Sequence, residues 1–288
     1  MWCGRDLYEK RRALFRFETL SYHPETFPGA QNRDTMSEEK IVTAALIIIG
    51  NEILSGRIQD ANLSYIATKL NDEAGIRLTE ARVVPDIEAE IVDAVNAMRA
   101  KHDYVFTTGG IGPTHDDITA EAVAKAFGRR LVRHPEAYRR LVEQFEKRGL
   151  EINEARLRMT NTPEGATLVE NGISVAPGFQ VENVYVMAGV PQVAHAMIDW
   201  LAPRLEGGKP VRSKTLVCSI GEGNMAEGLT AIQHRYSEID IGSYPFYETG
   251  NYGTSIVLRH TDEALLERAG DEVAELMRSL GGEPRDKI

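Results

Sequence analysis

The sequence predicts an α/β protein: a three-layer αβα domain with a mostly parallel sheet, followed by a small α+β module. Three observations predict it. The apolar run Ala44–Ile49 is continuous rather than alternating, as in a strand covered on both faces. From Ile41 to about residue 205, apolar strands alternate with amphipathic helices, the pattern of a parallel-dominated sheet with helices on both sides. Beyond residue 206 the order becomes strand, helix, strand, strand, helix. The boundaries read from these changes are an extension at 1–38, the α/β domain at 39–205 and the small module at 206–288.

Residues 1–35 hold six aromatics and show no apolar periodicity that continues into the strand beginning at Ile41. Two readings compete: a disordered or helical arm, or a start codon assigned too far upstream, with Met36 as the biological start. An Arg-rich transit peptide fits less well, because five acidic residues interrupt the arm. After the strand Ile41–Ile49, Leu63, Ile66, Ala67, Leu70 and Ala74 line one face of a helix that stops at Gly75. A strand over Ile76–Val84 comes next, then a helix carrying Ile87, Ile91, Ala94, Val95 and Met98. Tyr104–Phe106 is a strand that enters a glycine turn, and Ala122, Val123, Ala126 and Phe127 mark the next helix. Helices over Glu136–Arg148 and Asn153–Asn161, a strand over Val184–Ala188 and a helix over Gln192–Leu205 complete the domain. Glu206–Pro210 reads as a linker. The module then shows strand Lys214–Ile220, helix Met225–Tyr236, strands Ile239–Tyr244 and Thr254–His260, and helix Glu263–Leu280.

Hydrophobic residues make up 42% of the 288 and charged residues 26%, enough for a sizeable core. The net charge of −10 argues against a protein that coats nucleic acid or anionic membrane. No apolar run approaches the roughly 20 residues that span a bilayer. Cys3 and Cys218 form neither a disulfide framework nor a CxxC pair, so the expected location is the cytoplasm.

The most informative stretch runs from Thr107 to Thr119, where a buried strand leads into Gly109, Gly110 and Gly112, then Pro113 and a helix. Glycines let a backbone approach a ligand closely, and a helix start favours anions. Thr114 is placed to cap that helix. Asp116 and Asp117 would repel a phosphate unless a divalent cation lay between them; a tight turn with acids favouring the helix dipole accounts for the same residues equally well. Gly50–Gly56, which contains Glu52, and Pro85-Asp86 come after two other strands, so three carboxylate-bearing loops are expected at the carboxyl edge of one sheet, where such sheets bind ligands.

Gly50-x-Glu52-x-Leu54-x-Gly56, Thr108-Gly109-Gly110-x-Gly112-Pro113-Thr114-x-Asp116-Asp117-x-Thr119, Ala176-Pro177-Gly178 and Gly189-Val190-Pro191 resemble, in the same order, motifs of CinA-type competence/damage-inducible proteins. The amino-terminal domain of that family is similar to the MogA/MoaB molybdopterin-binding fold. The resemblance covers 41–205, and 206–288 looks like the small KH-like domain found next in the same family. No part of the chain resembles the family's carboxy-terminal nicotinamide-mononucleotide amidase, so that activity is not implied. In molybdenum-cofactor proteins, aspartates matching Asp86 and Asp117 serve adenylyl transfer to molybdopterin. In CinA-type domains the similar site is associated with metal-dependent hydrolysis of ADP-ribose, and in eukaryotic FAD synthases with hydrolysis of FAD. Asp116 belongs to the CinA pattern. Glu170–Val175 and Gly189-Val190-Pro191 depart from the family's usual loops.

The expectation drawn from this is a metal-dependent pyrophosphatase acting on ADP-ribose or FAD by in-line attack of water. Glu52, Asp86 and Asp117 are its catalytic candidates, with Glu52 or Asp86 as the base. Gly50, Gly109, Gly110, Gly112 and Thr114 would hold phosphate. Asp86, Asp116 and Asp117 would hold Mg²⁺, Mn²⁺ or Co²⁺. The alternative is a molybdopterin-binding or adenylylating protein, and a third reading is a regulatory binding protein without turnover. The expected partner is a nucleotide-type small molecule, with no nucleic acid or membrane, in a homodimer or homotrimer. His115 sits inside the motif, and His134 reads as a surface residue. Arg156 and Arg158 could reach a diphosphate or ribose, which a solvated face explains equally well. Cys218 reads as core. Gly250-Asn251-Tyr252-Gly253 fits the GxxG of RNA-binding KH domains, but it joins two strands in a module of net charge −5. A lid or dimerisation role suits that module better.

Overall fold

The structure is a computed structural model that describes residues 41–248 and 251–287. The expectations for the extension at 1–38 therefore lie outside the described residues, which pack as one compact unit.

The first domain opens with β1 (Thr43–Ile49), the single-turn helix α1 (Asn51–Leu54), α2 (Asn62–Ala74), β2 (Arg77–Val84) and α3 (Glu88–Arg99). It continues through β3 (Tyr104–Thr108), α4 (Thr119–Ala126), β4 (Leu131–Arg133), α5 (Pro135–Lys147) and α6 (Glu154–Arg158). β5 (Asn161–Pro163), β6 (Thr167–Val169), β7 (Gly178–Val181), β8 (Val184–Met187) and α7 (Pro191–Leu201) close it. Six strands form one sheet in the order β2-β1-β3-β8-β7-β6. The first four run parallel, while β7 and β6 extend the edge antiparallel.

The continuous apolar run of β1 divides by residue parity between two cores. Ala45, Ile47 and Ile49 pack with Ile91 and Val95 of α3 and Val123 of α4. Ala44, Leu46 and Ile48 pack with Ile66 and Leu70 of α2 and Met197 and Ile198 of α7. The layered, mostly parallel fold expected from the sequence is thus present. The helix after β1 ends as expected at Gly75, whose φ of 63° closes the left-handed cap. Leu63, expected on its buried face, is 36% exposed, and Ile87 is the exposed residue before α3 rather than part of it. Asn161, expected to end a helix, opens β5, which pairs with β4 in a separate hairpin sheet.

Glu80 on β2 is the most heavily paired carboxylate of this surface, with Lys101 Nζ at 2.7 Å, Arg82 Nη2 at 2.8 Å and His102 Nε2 at 3.2 Å. Lys101 first, then Arg82 and His102, hold its pKa down at about 2. A pKa lowered in the folded state contributes stability above the unfolded value of 4.5, and that contribution is lost as pH falls towards 2. Glu80→Gln is therefore expected to melt below wild type at pH 7. The gap in Tm should narrow from pH 4.5 downward; a gap independent of pH would contradict this account.

The second module contains β9 (Arg212–Cys218), α8 (Glu222–Arg235), β10 (Asp240–Glu248), β11 (Asn251–His260), α9 (Glu263–Ser279) and β12 (Arg285–Asp286). Its sheet runs β10-β11-β9-β12, with every pairing antiparallel. Leu216, Ile256 and Leu258 of that sheet pack against Met225 and Ile232 of α8 and Val273 and Met277 of α9. Cys218 is buried there, as expected for core. Asn251–Gly253 lies in the β10–β11 hairpin, so the GxxG-like segment joins strands, not helices.

The segment between the modules is clasped rather than loose. Asn71 of α2 bonds Val211 through both amide atoms, at 2.9 and 3.0 Å, and the Tyr104 hydroxyl donates to Glu206 O at 2.9 Å. A Cβ on Gly207 would lie 1.6 Å from Ala74 O, and one on Gly75 would lie 2.0 Å from Gly208 O. Backbone meets backbone where a side chain would not fit. Among the described residues, no helix is long and apolar enough to cross a membrane.

Candidate functional site

β2, β1 and β3 are parallel neighbours, so the loops that leave their carboxyl ends emerge side by side. Gly109 is the joint between them. Its φ is +104°, and a Cβ there would sit 2.1 Å from Ile49 O at the end of β1. Gly189, just beyond β8, approaches the same point, since its Cβ would lie 3.1 Å from Gly109 Cα. Gly110, at φ +67°, leaves room for Thr119, whose Oγ1 donates to Gly109 O at 2.9 Å while its N–H donates to Gly110 O at 3.0 Å.

α4 begins at Thr119, and this corrects the reading of Thr114 as a helix cap. Thr114 instead lies in the loop, where its N–H and Oγ1 both donate to Asp117 Oδ2, at 2.7 and 2.5 Å. The aspartate organises the turn, and Gly112 makes room for it, because a Cβ at Gly112 would lie 2.6 Å from the same oxygen. The helix-start amides therefore lie at Thr119 and beyond rather than near Thr114, and the Thr119 amide itself is bonded within the glycine loop.

A cleft of about 460 Å³ opens over this loop. Of the residues singled out in the sequence, it brings together Glu52, Gly109, Gly110, Gly112 and Asp117. Gly50, Asp86, Thr114 and Asp116 do not line it. Gly50 makes room for Glu52, whose Oε1 would lie 2.4 Å from a Cβ there. Asp86 accepts the Asn51 N–H at 2.8 Å and so braces α1. Asp116 is exposed, and hydrogen bonding within the turn holds its pKa below the ordinary carboxylate value.

The expected trio of Asp86, Asp116 and Asp117 is not assembled as a metal cage. Among the described residues, no three His, Cys, Asp or Glu side chains converge in a way that could hold an ion. Two of the three carboxylates already accept backbone N–H groups. A divalent ion here would have to be held by one or two of these carboxylates together with the ligand's own phosphates.

Ala176 and Gly189-Val190-Pro191, quoted among the family motifs, also line the cleft, whereas Ile53, Ile58, Asp60, Asn62 and Val193 went unmarked in the sequence reading. Asp60 accepts the amides of Asn62 and Leu63 at 3.1 and 2.8 Å, fixing the start of α2. Asn62 is only 4% exposed; its Nδ2 donates to Gly189 O at 2.9 Å, and its Oδ1 has no partner. An aspartate just before the first apolar turn of a helix was the available signal for this corner. In the same lining, Ile53, Ile58, Val190 and Val193 supply apolar surface. The lining carries Glu52, Asp60 and Asp117 and no Lys, Arg or His. His115 points to solvent at 97% exposure, and His134 caps α5 through Nδ1.

Fold and cleft together define an α/β protein with an open cleft at the carboxyl edge of its sheet, the place where sheets of this kind bind ligands. The sequence profile described as the probable molybdopterin binding domain matches residues 45–207, and the chain belongs to that family. A second profile, the middle domain of FAD synthase, matches 210–281. A protein of Archaeoglobus fulgidus is 36% identical over 200 residues, covering 69% of this chain and 84% of its own. A protein of Caldicellulosiruptor saccharolyticus, named as competence-damage inducible, is 30% identical over 250 residues; the match takes in 83% of this chain and 60% of that longer relative. Among solved structures, CinA of Thermoplasma acidophilum, described as of unknown function, aligns with a TM-score of 0.51 at 31% identity. That alignment covers 56% of this chain and 96% of the other.

Proposed function

We propose that the cleft binds a phosphate-bearing ligand of the molybdopterin class, with its flat ring on the apolar face and its phosphate towards the glycine loop. The observation that carries this reading is the presence of two unlike surfaces in one cleft: backbone without side chains at Gly109 and Gly110, and the aliphatic side chains of Ile53, Ile58, Val190 and Val193. Membership of the molybdopterin-binding family supports the same ligand class. The test is a fluorescence titration with oxidised molybdopterin. Saturable binding is expected, and Gly110→Val should abolish it, because a β-branched side chain at φ +67° is strained and its Cβ would meet Thr119 Oγ1 at 2.2 Å. Failure to saturate, or equal binding by the variant, would refute the assignment.

A second reading, hydrolysis of ADP-ribose or FAD, has its own support. The Glu52 carboxylate lines the cleft with no hydrogen-bond or ion-pair partner among the described residues, which leaves its oxygens available to accept a proton from a bound water. The second module also matches a domain of FAD synthases. Release of AMP in the presence of Mg²⁺, Mn²⁺ or Co²⁺, reduced about 10²–10⁴-fold by Glu52→Gln, would select this reading. In either case the expected molecule is a cytoplasmic homodimer or homotrimer, a state that light scattering measures directly.

A further inference from the structure

The cleft poses an electrostatic problem for any phosphate. Its lining supplies three carboxylates and no cation, and the net charge of the chain is −10. A smaller cavity of about 50 Å³ lies against the same loop and shares Gly110, Gly112, Asp117 and Met159 with the cleft. Among its lining residues there is one cation, Arg158.

Arg156 and Arg158, equivalent in sequence, are separated by the structure. Arg156 turns away, donating to Glu151 O and lying over the Phe145 ring at 5.1 Å. Arg158, at the end of α6, is partly buried and reaches the glycine loop, where Nη2 donates to Asp117 O at 3.4 Å. That is a long, weak bond for a guanidinium with five N–H donors. Among the described residues it makes no ion pair. A partly desolvated guanidinium with unused donors, set beside a loop that carries Gly110 and Gly112, is an arrangement suited to binding phosphate in the bidentate mode.

We propose that Arg158 anchors the phosphate or diphosphate of the ligand, reaching it across the Gly110–Gly112 loop. This rests on the reading that the cleft takes a phosphorylated ligand. It assigns the recognition of charge to α6, whose two arginines the sequence left open between a diphosphate contact and a solvated face.

The test titrates the full chain with inorganic pyrophosphate by calorimetry, and separately with oxidised molybdopterin before and after removal of its phosphate. Arg158→Ala is expected to weaken pyrophosphate about tenfold or more, the loss of one charge-assisted contact. It should also remove the preference for the phosphorylated pterin while sparing the dephosphorylated one. Arg158→Lys should recover part of the pyrophosphate affinity, and Arg156→Ala should leave it unchanged. If wild type does not bind pyrophosphate, or Arg158→Ala and Arg156→Ala bind it alike, the proposal fails. Pyrophosphate bound through Arg158 without any pterin binding would keep the anchor and overturn the pterin reading. Pterin binding indifferent to Arg158→Ala would do the reverse. Circular dichroism spectra and melting curves of each variant separate loss of contact from loss of fold.

Discussion

Gly109→Ala is expected to destabilise the protein by roughly 2–5 kcal/mol, through backbone strain and a clash acting together. The native φ is +104°, a region that L side chains rarely adopt, and the new Cβ would lie 2.1 Å from Ile49 O. That oxygen is not free to retreat, because β1 is held in register with β3 at Ile48 and Thr108. Urea denaturation of both proteins gives the cost directly. Gly56→Ala is the matched control: its φ is +69°, but nothing lies within 4 Å of the added carbon. It should show the strain alone, about 1–2 kcal/mol. Equal losses at the two positions would mean that the meeting of β1 and β3 at Gly109 is not tight.

Phe106→Ala should cost about 3–5 kcal/mol, the range for truncating a fully buried phenylalanine. Phe106 is 0% exposed in the middle of β3, with its ring 5.4 Å from that of Tyr185 and 6.4 Å from that of Tyr104. The strands on either side hold the backbone in place, so the space left behind closes poorly. Tyr185→Phe is the milder comparison, since it removes only a hydroxyl that accepts from Gln180 Nε2 at 3.0 Å. A loss below about 2 kcal/mol for Phe106→Ala would show instead that the α2 and α7 side of the sheet collapses into the gap.

The layered fold was legible because its signals are long. β1 needs two covered faces to be apolar throughout, and α2 and α3 repeat apolar residues over three turns. The antiparallel edge was not legible. β6 and β7 have three and four residues, Pro177 precedes β7 and Gly178 opens it, and so short a segment carries no period. Within the site, glycines at strand ends announced the loop, because only a special backbone explains so many of them together. Side-chain direction was not announced. Thr114, Asp86 and Asp117 stand where capping, catalysis and metal binding would each be reasonable, and only the acceptor of each hydrogen bond decides between them. Arg156 and Arg158 show the same limit, since two residues of spacing on a helix turned one guanidinium to an aromatic ring and the other to the glycine loop.

The Gly75–Gly207–Gly208 contact bears on how such two-part chains can be recombined. A module attached through a slack tether can be exchanged for another without regard to the domain before it. Here the junction is moulded to the end of α2, whose opposite end, Asn62, borders the cleft about 20 Å away. A foreign module grafted after residue 205 would need a glycine at position 207, and a backbone able to satisfy Asn71 as Val211 does. Without them, Ala74 O and the incoming chain would compete for the same space, and α2 would have to shift along its axis or tilt. The graft would then disturb the far cleft while touching none of its residues. Inheritance of the two parts as a single cassette, rather than as separable beads, is the form that this geometry favours.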